Sequence, residues 1–348
     1  MAVTMADVAR AAGVSTKTVS NALSGSPSVR PETRQRVLDT AEQLQYVMNR
    51  SASSLRSGRT GIIGLVLPDL RNGYFSELAD AVMEAAERRG RVVMIRQTRN
   101  TREREIASLA SAAASSDGLL VNAVALDDDD HDLLTAAGPV VLLGDQMHAS
   151  PVDHVTMHNT AAATAMTRHL LDTGRRRIAV LGASPQANEG SSGLRMAGYR
   201  QAHAEVGLPI DESLIVDVRL WHRSDGAEGL RRLISRGGEF DAVFALNDMM
   251  AFGAVRVLQE RGFRIPDDVP VAGFDDLEET RFTFPPLTTV DPGLPQIADL
   301  AVELLVRRIE GRGQVPRRYF ADFRLVERDS TRVRTAGRRP PTGTAAAP

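Results

Sequence analysis

The 348-residue chain contains no cysteine, which excludes disulfide scaffolds, thiolate-held zinc and thiol nucleophiles and fits a reducing compartment. Aromatic side chains make up only 4% of it, with one tryptophan, Trp221. Lysine is as scarce: Lys17 stands alone and every other basic side chain is arginine. No apolar run approaches the ~18 residues of a membrane span, and Met1 to Asp7 lack the basic and apolar blocks of a signal peptide. The expectation is a cytoplasmic protein with no membrane partner. Enzyme signatures are also missing: no G-x-S-x-G, Walker A, H-E-x-x-H or G-x-G-x-x-G run occurs. The seven histidines form no ligand-spaced pair, so no catalytic residue, metal site or cofactor is expected.

Apolar residues make up 43% of the chain, enough for more than one core, and at ~150 residues per domain the length suggests two or three. The formal charge of −2 hides an uneven distribution. Residues 1–60 hold eight basic and four acidic side chains, leaving six net negative charges on the remainder. A basic head on an acidic body reads as a nucleic-acid-facing module joined to something else.

The first 45 residues read as three short helices. Thr4 and Asp7 can cap the first, whose stripe is Val8, Ala9 and Ala12 and which ends at Gly13. Ser15 caps the second, with Thr18, Val19 and Ala22 inward. Pro31 opens the third, with Val37, Leu38, Ala41 and Leu44 at helical spacing. Helix, tight glycine turn, helix is a helix-turn-helix pattern, and Thr16, Lys17 and Asn21 project from the outer face of its second helix. Residues 46–60 are small, polar and basic, a linker with Leu55 as its one unpaired apolar side chain. Residues 335–348 are Pro, Gly, Ala, Thr and Arg without period, a disordered tail.

From Gly61 short β-rich runs alternate with helical stretches. Candidate strands are 62–67, 92–95, 119–121, 140–143, 178–181, 215–218, 242–246 and 269–274, with helices such as 75–89 and 161–173 between them. This alternation implies two parallel sheets wound on both faces. Ligands of such sheets bind beyond the strands' carboxyl ends. Those positions hold Asp69, Asn72, Tyr74, Phe75, Asn122, Asp145, Ser184, Trp221, Asn247-Asp248 and Asp275-Asp276. Amides and carboxylates that pair with hydroxyls, beside aromatic faces that cover C–H surface, suit a polyhydroxylated ligand. The acidic run Asp127 to Asp132 is read as a solvated helix start and not a metal site; His158 and His222 are read as local hydrogen-bonding groups.

Val3-Thr4-Met5-Ala6-Asp7-Val8-Ala9, Gly13-Val14-Ser15-Thr16-Lys17-Thr18-Val19-Ser20 and Tyr46-Val47-Met48-Asn49 closely resemble the head of LacI/GalR-type regulators. The resemblance continues through Asn72-Gly73-Tyr74-Phe75, Arg195-Met196-Ala197-Gly198-Tyr199, Asn247-Asp248 and Gly273-Phe274-Asp275-Asp276 to Pro285-Pro286-Leu287-Thr288-Thr289-Val290. It implies an all-α helix-turn-helix head (1–46), a hinge helix or linker (47–60) and an α/β periplasmic-binding-protein-like core (61–334). The core would have two doubly wound parallel-sheet subdomains, about 61–159 plus 291–321 and about 160–290 plus 322–334. The function implied is a homodimeric repressor of carbohydrate-uptake or catabolic genes, not an enzyme, released from palindromic operator DNA by a sugar-type effector bound between the subdomains. Alternatives are a purine-type corepressor mechanism and, from another class, a periplasmic-type sugar-binding protein.

The resemblance places Thr4, Ser15, Thr16, Lys17, Thr18, Ser20, Asn21, Asn49, Arg50, Ala52, Leu55 and Arg56 on DNA, with Leu55 as a minor-groove wedge. It places Arg195, Asn247 and Asp275 on the effector and Trp221 in a stacking position. Ser191 joins Asp69, Asn72, Tyr74, Phe75, Asn122 and Asp145 in that set. Three departures stand out: Asn21 where many members carry arginine, Gly144 where some carry aspartate beside the position of Asp145, and Arg30 in place of the usual serine cap of the third helix, a loss of about 1 kcal/mol unless Ser28 or Thr33 compensates.

Overall fold

The computed structural model describes residues 3–23, 28–46, 59–147, 151–183 and 190–332. The chain divides into two units, Met1–Gly61 and Ile62–Pro348. Most of the linker read at 47–60, and the tail at 335–348, lie outside the described residues.

The first unit has three helices, α1 (Met5–Ala12), α2 (Thr16–Leu23) and α3 (Pro31–Gln43). Asp7 reaches back to accept from the backbone N–H of Thr4 at 2.9 Å and from its hydroxyl at 2.6 Å. Gly13 closes α1 at φ +66°, a left-handed cap that a side chain would strain. The Ser15 hydroxyl accepts from the N–H of Thr18 at 3.1 Å, capping α2. Val8, Ala9, Ala12, Val19, Ala22, Val29, Val37 and Ala41 form the small core. Leu38, read above as part of it, is 40% exposed, because it lies ~100° around the helix from Val37 and so leaves the Val37–Ala41 stripe.

Arg30 is the residue ahead of α3, and its side chain makes no capping bond. Arg30→Ser is therefore expected to stabilise the head by about 1 kcal/mol, seen as a higher urea midpoint in its unfolding transition. No gain would mean that Ser28 or Thr33 already supplies the cap.

The second unit starts with β1 (Ile62–Leu67), α4 (Gly73–Glu87), β2 (Val92–Gln97), α5 (Arg102–Ala113), β3 (Gly118–Asn122), α6 (His131–Ala136), β4 (Val140–Leu143) and β5 (Asp153–Met157). After α7 (Asn159–Asp172) come β6 (Ile178–Ala183), α8 (Gly190–Glu205), β7 (Ile215–Asp217), α9 (Arg223–Ser235), β8 (Ala242–Ala245), α10 (Asp248–Glu260) and β9 (Val271–Ala272). It closes with β10 (Thr289–Asp291), α11 (Leu294–Ile309), β11 (Arg318–Ala321) and β12 (Arg324–Val326).

Two parallel sheets result, β11-β5-β4-β3-β1-β2 and β7-β6-β8-β9, with an antiparallel pair β10-β12. β1, β3, β4 and β6 are near-continuous apolar runs, as strands covered on both faces must be. The chain passes between the two lobes near 157–159, 291–294 and 321–324. Helices α9 and α10 meet backbone to backbone: a Cβ on Gly253 would lie 2.1 Å from the Arg223 carbonyl, and one on Gly226 2.4 Å from that of Met250.

Four strands escaped the pattern reading. β5 is Asp153-His154-Val155-Thr156-Met157, too polar to look like a buried strand, yet all five residues are buried. Its polar side chains find partners away in sequence: Asp153 in Arg308 at 2.6 Å, His154 through one ring nitrogen in the Gly144 carbonyl at 2.7 Å and Thr156 in Asp145 at 2.6 Å. β10, β11 and β12 are three or four residues each. The strand read at 269–274 pairs in the sheet only at Val271 and Ala272. Beyond it the N–H groups of Gly273 and Asp275 turn to the carbonyls of Thr288 and Val290, both at 2.9 Å. The acidic run is not wholly solvated either. Asp130 is buried, bound by Arg102 and by the N–H of Asp127.

Candidate functional site

A cavity of about 490 Å³ lies between the lobes, lined by residues just past β1 to β4 on one side and past β7 to β9 on the other. Asn72, Tyr74, Phe75, Asn122, Asp145, Ser191, Arg195, Trp221, Asn247 and Asp275 all line it. The chain brings them there by capping and turning. The Asn72 side chain accepts from the N–H of Tyr74 at 3.2 Å and so starts α4. The Asn247 side chain caps α10 through the N–H of Met250 at 2.9 Å, and its amide donates to the Trp221 carbonyl at 3.1 Å. That bond holds Trp221 at φ +57°, a costly conformation for a bulky residue and one that persists where surroundings over-determine it. Tyr74 and Phe75 meet edge to face, 5.3 Å between centroids at 73°.

Asp145 is buried and accepts from Thr156 at 2.6 Å, Asn159 at 2.7 Å and the Ser191 hydroxyl. The last of these joins the lobes, since Asp145 follows β4 and Ser191 lies in α8. Gly144 beside it sits at φ +87° with its Cβ position against the Asn122 amide, so an aspartate would be strained at that position.

Arg195 is buried with its fork fully engaged. Nε donates to Asn159 at 2.8 Å, one terminal nitrogen donates to the Leu246 carbonyl, and the other lies 3.6 Å from Asp275. Its guanidinium carbon sits 3.6 Å from the centroid of the Phe274 ring. Burial nevertheless pushes the Asp275 carboxyl up to about 7, with Arg195 opposing and Glu77 and Asp145 adding repulsion. Asp248, fully buried at the start of α10, is also pushed well above the usual carboxylate range by burial and by Asp275. Its oxygens accept from Thr289 at 2.6 Å and from the N–H of Leu277 at 3.0 Å. Burial and the Asp275 and Asp145 carboxylates raise the Tyr74 phenol, which therefore stays a neutral donor.

These acids have a pH signature. Between the ordinary carboxylate range and about 7 the folded core keeps a proton on Asp275 that the unfolded chain releases. The folded state then binds more protons, so stability falls as pH rises through that window, by at most about 1.4 kcal/mol per unit for one group. Urea unfolding of the core is expected to show this decline from pH 5 to pH 7, with Asp275→Asn reducing the slope. A flat wild-type profile would contradict it.

Three of the strand-end residues, Asp69, Asp248 and Asp276, do not line the cavity. Asp248 is turned to Thr289 and Leu277, and Arg328 donates to Asp276 at 2.6 Å. Arg71 takes the Asp69 carboxylate in a fork at 2.9 and 3.2 Å, Gln97 donates at 3.0 Å, and the His222 ring of the other lobe lies 3.2 Å away. Residues that the sequence reading missed are Asn100, Gln146, Ser192, Asp217 and Arg219. Asn100, just past β2 at φ +60°, and Gln146 and Arg219, just past β4 and β7, had a signal in the same strand-end rule; Asp217 ends β7 and Ser192 lies in the first turn of α8.

On α2, Thr16 and Lys17 are exposed, while Asn21 is half-buried, with its amide 3.4 Å from the Ser28 hydroxyl. Ser15 and Thr18 share a hydroxyl–hydroxyl bond of 2.9 Å at the cap, and Thr4 is engaged with Asp7. Ser20 is half-buried. Asn49, Arg50, Ala52, Leu55 and Arg56, with Ser184 of the core, lie outside the described residues. Among the described residues no cluster of His, Asp and Glu could hold a metal ion, and no helix is long and apolar enough to cross a membrane.

A family model described as bacterial regulatory proteins of the lacI family matches residues 4–49, and one described as a periplasmic binding protein-like domain matches 167–331. The HTH-type transcriptional regulator DegA of Bacillus subtilis is 31% identical over 340 residues, covering 95% of this chain and 98% of that protein. The lac repressor dimer bound to operator and the anti-inducer ONPF superposes with a TM-score of 0.79 at 26% identity, over 95% of this chain and 99% of that one. A complex of the regulator CelR with cellobiose gives 0.70 at 29% identity, over 94% and 99%.

Proposed function

The chain belongs to the lacI family of bacterial regulatory proteins, and on that premise we propose that it is a cytoplasmic, non-enzymatic repressor released from operator DNA by an uncharged sugar held between its core lobes. The observation that carries the effector reading is the make-up of the cavity. Aromatic faces of Phe75 and Trp221 stand beside mostly neutral or internally paired polar groups; of the two lining arginines among the described residues, Arg219 is exposed and Arg195, the buried one, is already spent on protein partners. Such a lining suits hydroxyls and C–H faces and, among the described residues, gives a phosphate or carboxylate no free buried cation, Arg219 being exposed. The complex of the related CelR with cellobiose supports the same class.

The mechanism is linkage. In the homodimer two heads must meet one palindrome together, so operator affinity depends on how the two cores are held. A sugar that bridges the lobes favours one closure angle and acts on DNA only through its different affinity for the open and closed states. In this reading the first lobe is about 61–159 plus 291–321 and the second about 160–290 plus 322–334. The DNA-facing set is Thr4, Ser15 to Lys17, Thr18, Ser20, Asn21, Asn49, Arg50, Ala52 and Arg56, with Leu55 as wedge between the half-sites.

The test is calorimetry of the purified protein against mono- and disaccharides, sugar phosphates and purine bases, with operator release followed by fluorescence anisotropy. Binding of a neutral sugar and release by it are expected. Tight binding of a purine with none of any sugar would make the protein a corepressor-dependent regulator and overturn the effector assignment.

A further inference from the structure

A second cavity, of about 650 Å³, lies on the other side of the hinge segment from the first, between α7, α8 and the edge strand β11. Its volume is that of small-molecule sites, and nothing in the effector mechanism uses it. Two features of its lining point to a ligand. The rings of His158 and Phe320 stack in parallel, centroids 4.8 Å apart and planes 17° apart. Phe320 remains 46% exposed, so the pair offers a flat aromatic surface toward solvent. Beside it the guanidinium carbon of Arg318 lies 5.7 Å from the Phe320 centroid.

Arg318 is half-buried, with no ion pair among the described residues and with its buried Nε lacking any hydrogen-bond partner. The cavity's other cation, Arg168, is neutralised by Glu205. One uncompensated guanidinium fork next to a stacked, partly exposed aromatic pair is the arrangement that holds a flat anion: the fork takes two carboxylate oxygens and the ring packs on the aromatic pair.

We infer that this hinge cavity is a second ligand site of the core, separate from the sugar cavity, and that it takes a planar aromatic carboxylate with its ring on the His158–Phe320 face and its carboxylate on Arg318. Its place gives it a regulatory consequence. His158 and Phe320 flank two of the three passages between the lobes, and Met157 lines both cavities. An occupant therefore touches both lobes, and its affinity depends on their closure.

The experiment titrates 2-naphthoate into the full-length protein by calorimetry and by the quenching of its own fluorescence. Arg318→Gln, Arg318→Lys, Phe320→Ala and Trp221→Ala are compared after thermal melts confirm folding. One site per chain is expected, weakened tenfold or more by Arg318→Gln and by Phe320→Ala, partly retained in Arg318→Lys and unchanged in Trp221→Ala. Neutral 2-naphthalenemethanol is expected to bind at least tenfold more weakly. Binding abolished by Trp221→Ala would place the naphthoate in the sugar cavity. Equal affinity for the alcohol, or for Arg318→Gln and the wild type, would remove the anion site. Any of these overturns the inference and leaves the sugar reading standing.

Discussion

Arg195→Ala is expected to destabilise the core by about 3–5 kcal/mol at pH 8 and to shift release of DNA to much higher effector concentrations. The large cost comes from what the substitution leaves behind. Asn159 and the Leu246 carbonyl lose their donor, the Phe274 ring loses the group stacked on it, and Asp275 loses the cation paired with it. Removing one partner of a buried pair strands the other charge, and that accounts for the magnitude. The same pair makes the cost depend on pH. The Asp275 carboxyl already titrates at about 7; without Arg195 it moves higher still and takes up a proton. The loss is therefore smaller at pH 6 than at pH 8, as urea unfolding at the two values would show. Because the substitution lies in the core and leaves the head's own packing untouched, operator binding is expected to persist under conditions where the variant is folded. Effector affinity should fall by roughly 30-fold or more, ~2 kcal/mol. Arg195→Lys, which keeps the charge but not the fork, should restore stability only in part. Equal losses at pH 6 and pH 8 would break the link between Arg195 and the Asp275 proton.

Lys17→Ala is expected to weaken operator binding by about 1–3 kcal/mol, roughly 5- to 150-fold, and to relax the sequence requirement at one base step. Lys17 is exposed on α2, away from the Val19 and Ala22 face that builds the head core. The substitution therefore leaves folding alone. Anisotropy titrations against duplexes changed one base pair at a time separate two roles. A base-reading lysine loses discrimination at one position, whereas a phosphate-binding one loses affinity uniformly and lowers the salt slope by about one. Lys17 is also the only lysine in the chain, so acetylation at its side chain gives the same test without mutation. An unchanged affinity and an unchanged base profile would refute any DNA contact by this residue.

The helices of the head were legible because their causes are local: Thr4 with Asp7, the Gly13 turn and the Ser15 cap act within a few residues of one another. Alternation gave the two parallel sheets, and the rule that ligands sit beyond strand ends led to Asn72, Tyr74, Asn122, Asp145, Asn247 and Asp275. That same rule named Asp69 in error. Nothing near it in sequence says that Gln97 and His222, from another strand and the other lobe, converge on its carboxylate. β5 was hidden for a related reason. Its Asp153 looks solvent-facing until Arg308, from the far end of the chain, arrives beside it.

The sequence alone therefore settled which chemical groups stand at the strand ends and that a basic helix-turn-helix head precedes them. It did so because period, caps and turns are short-range. Tertiary structure decided which of those groups remain available and in what charge state: Asp145 bound on both oxygens, Asp248 and Asp275 raised, Arg195 already engaged. Burial and partners set these properties, and both depend on residues that only folding brings together.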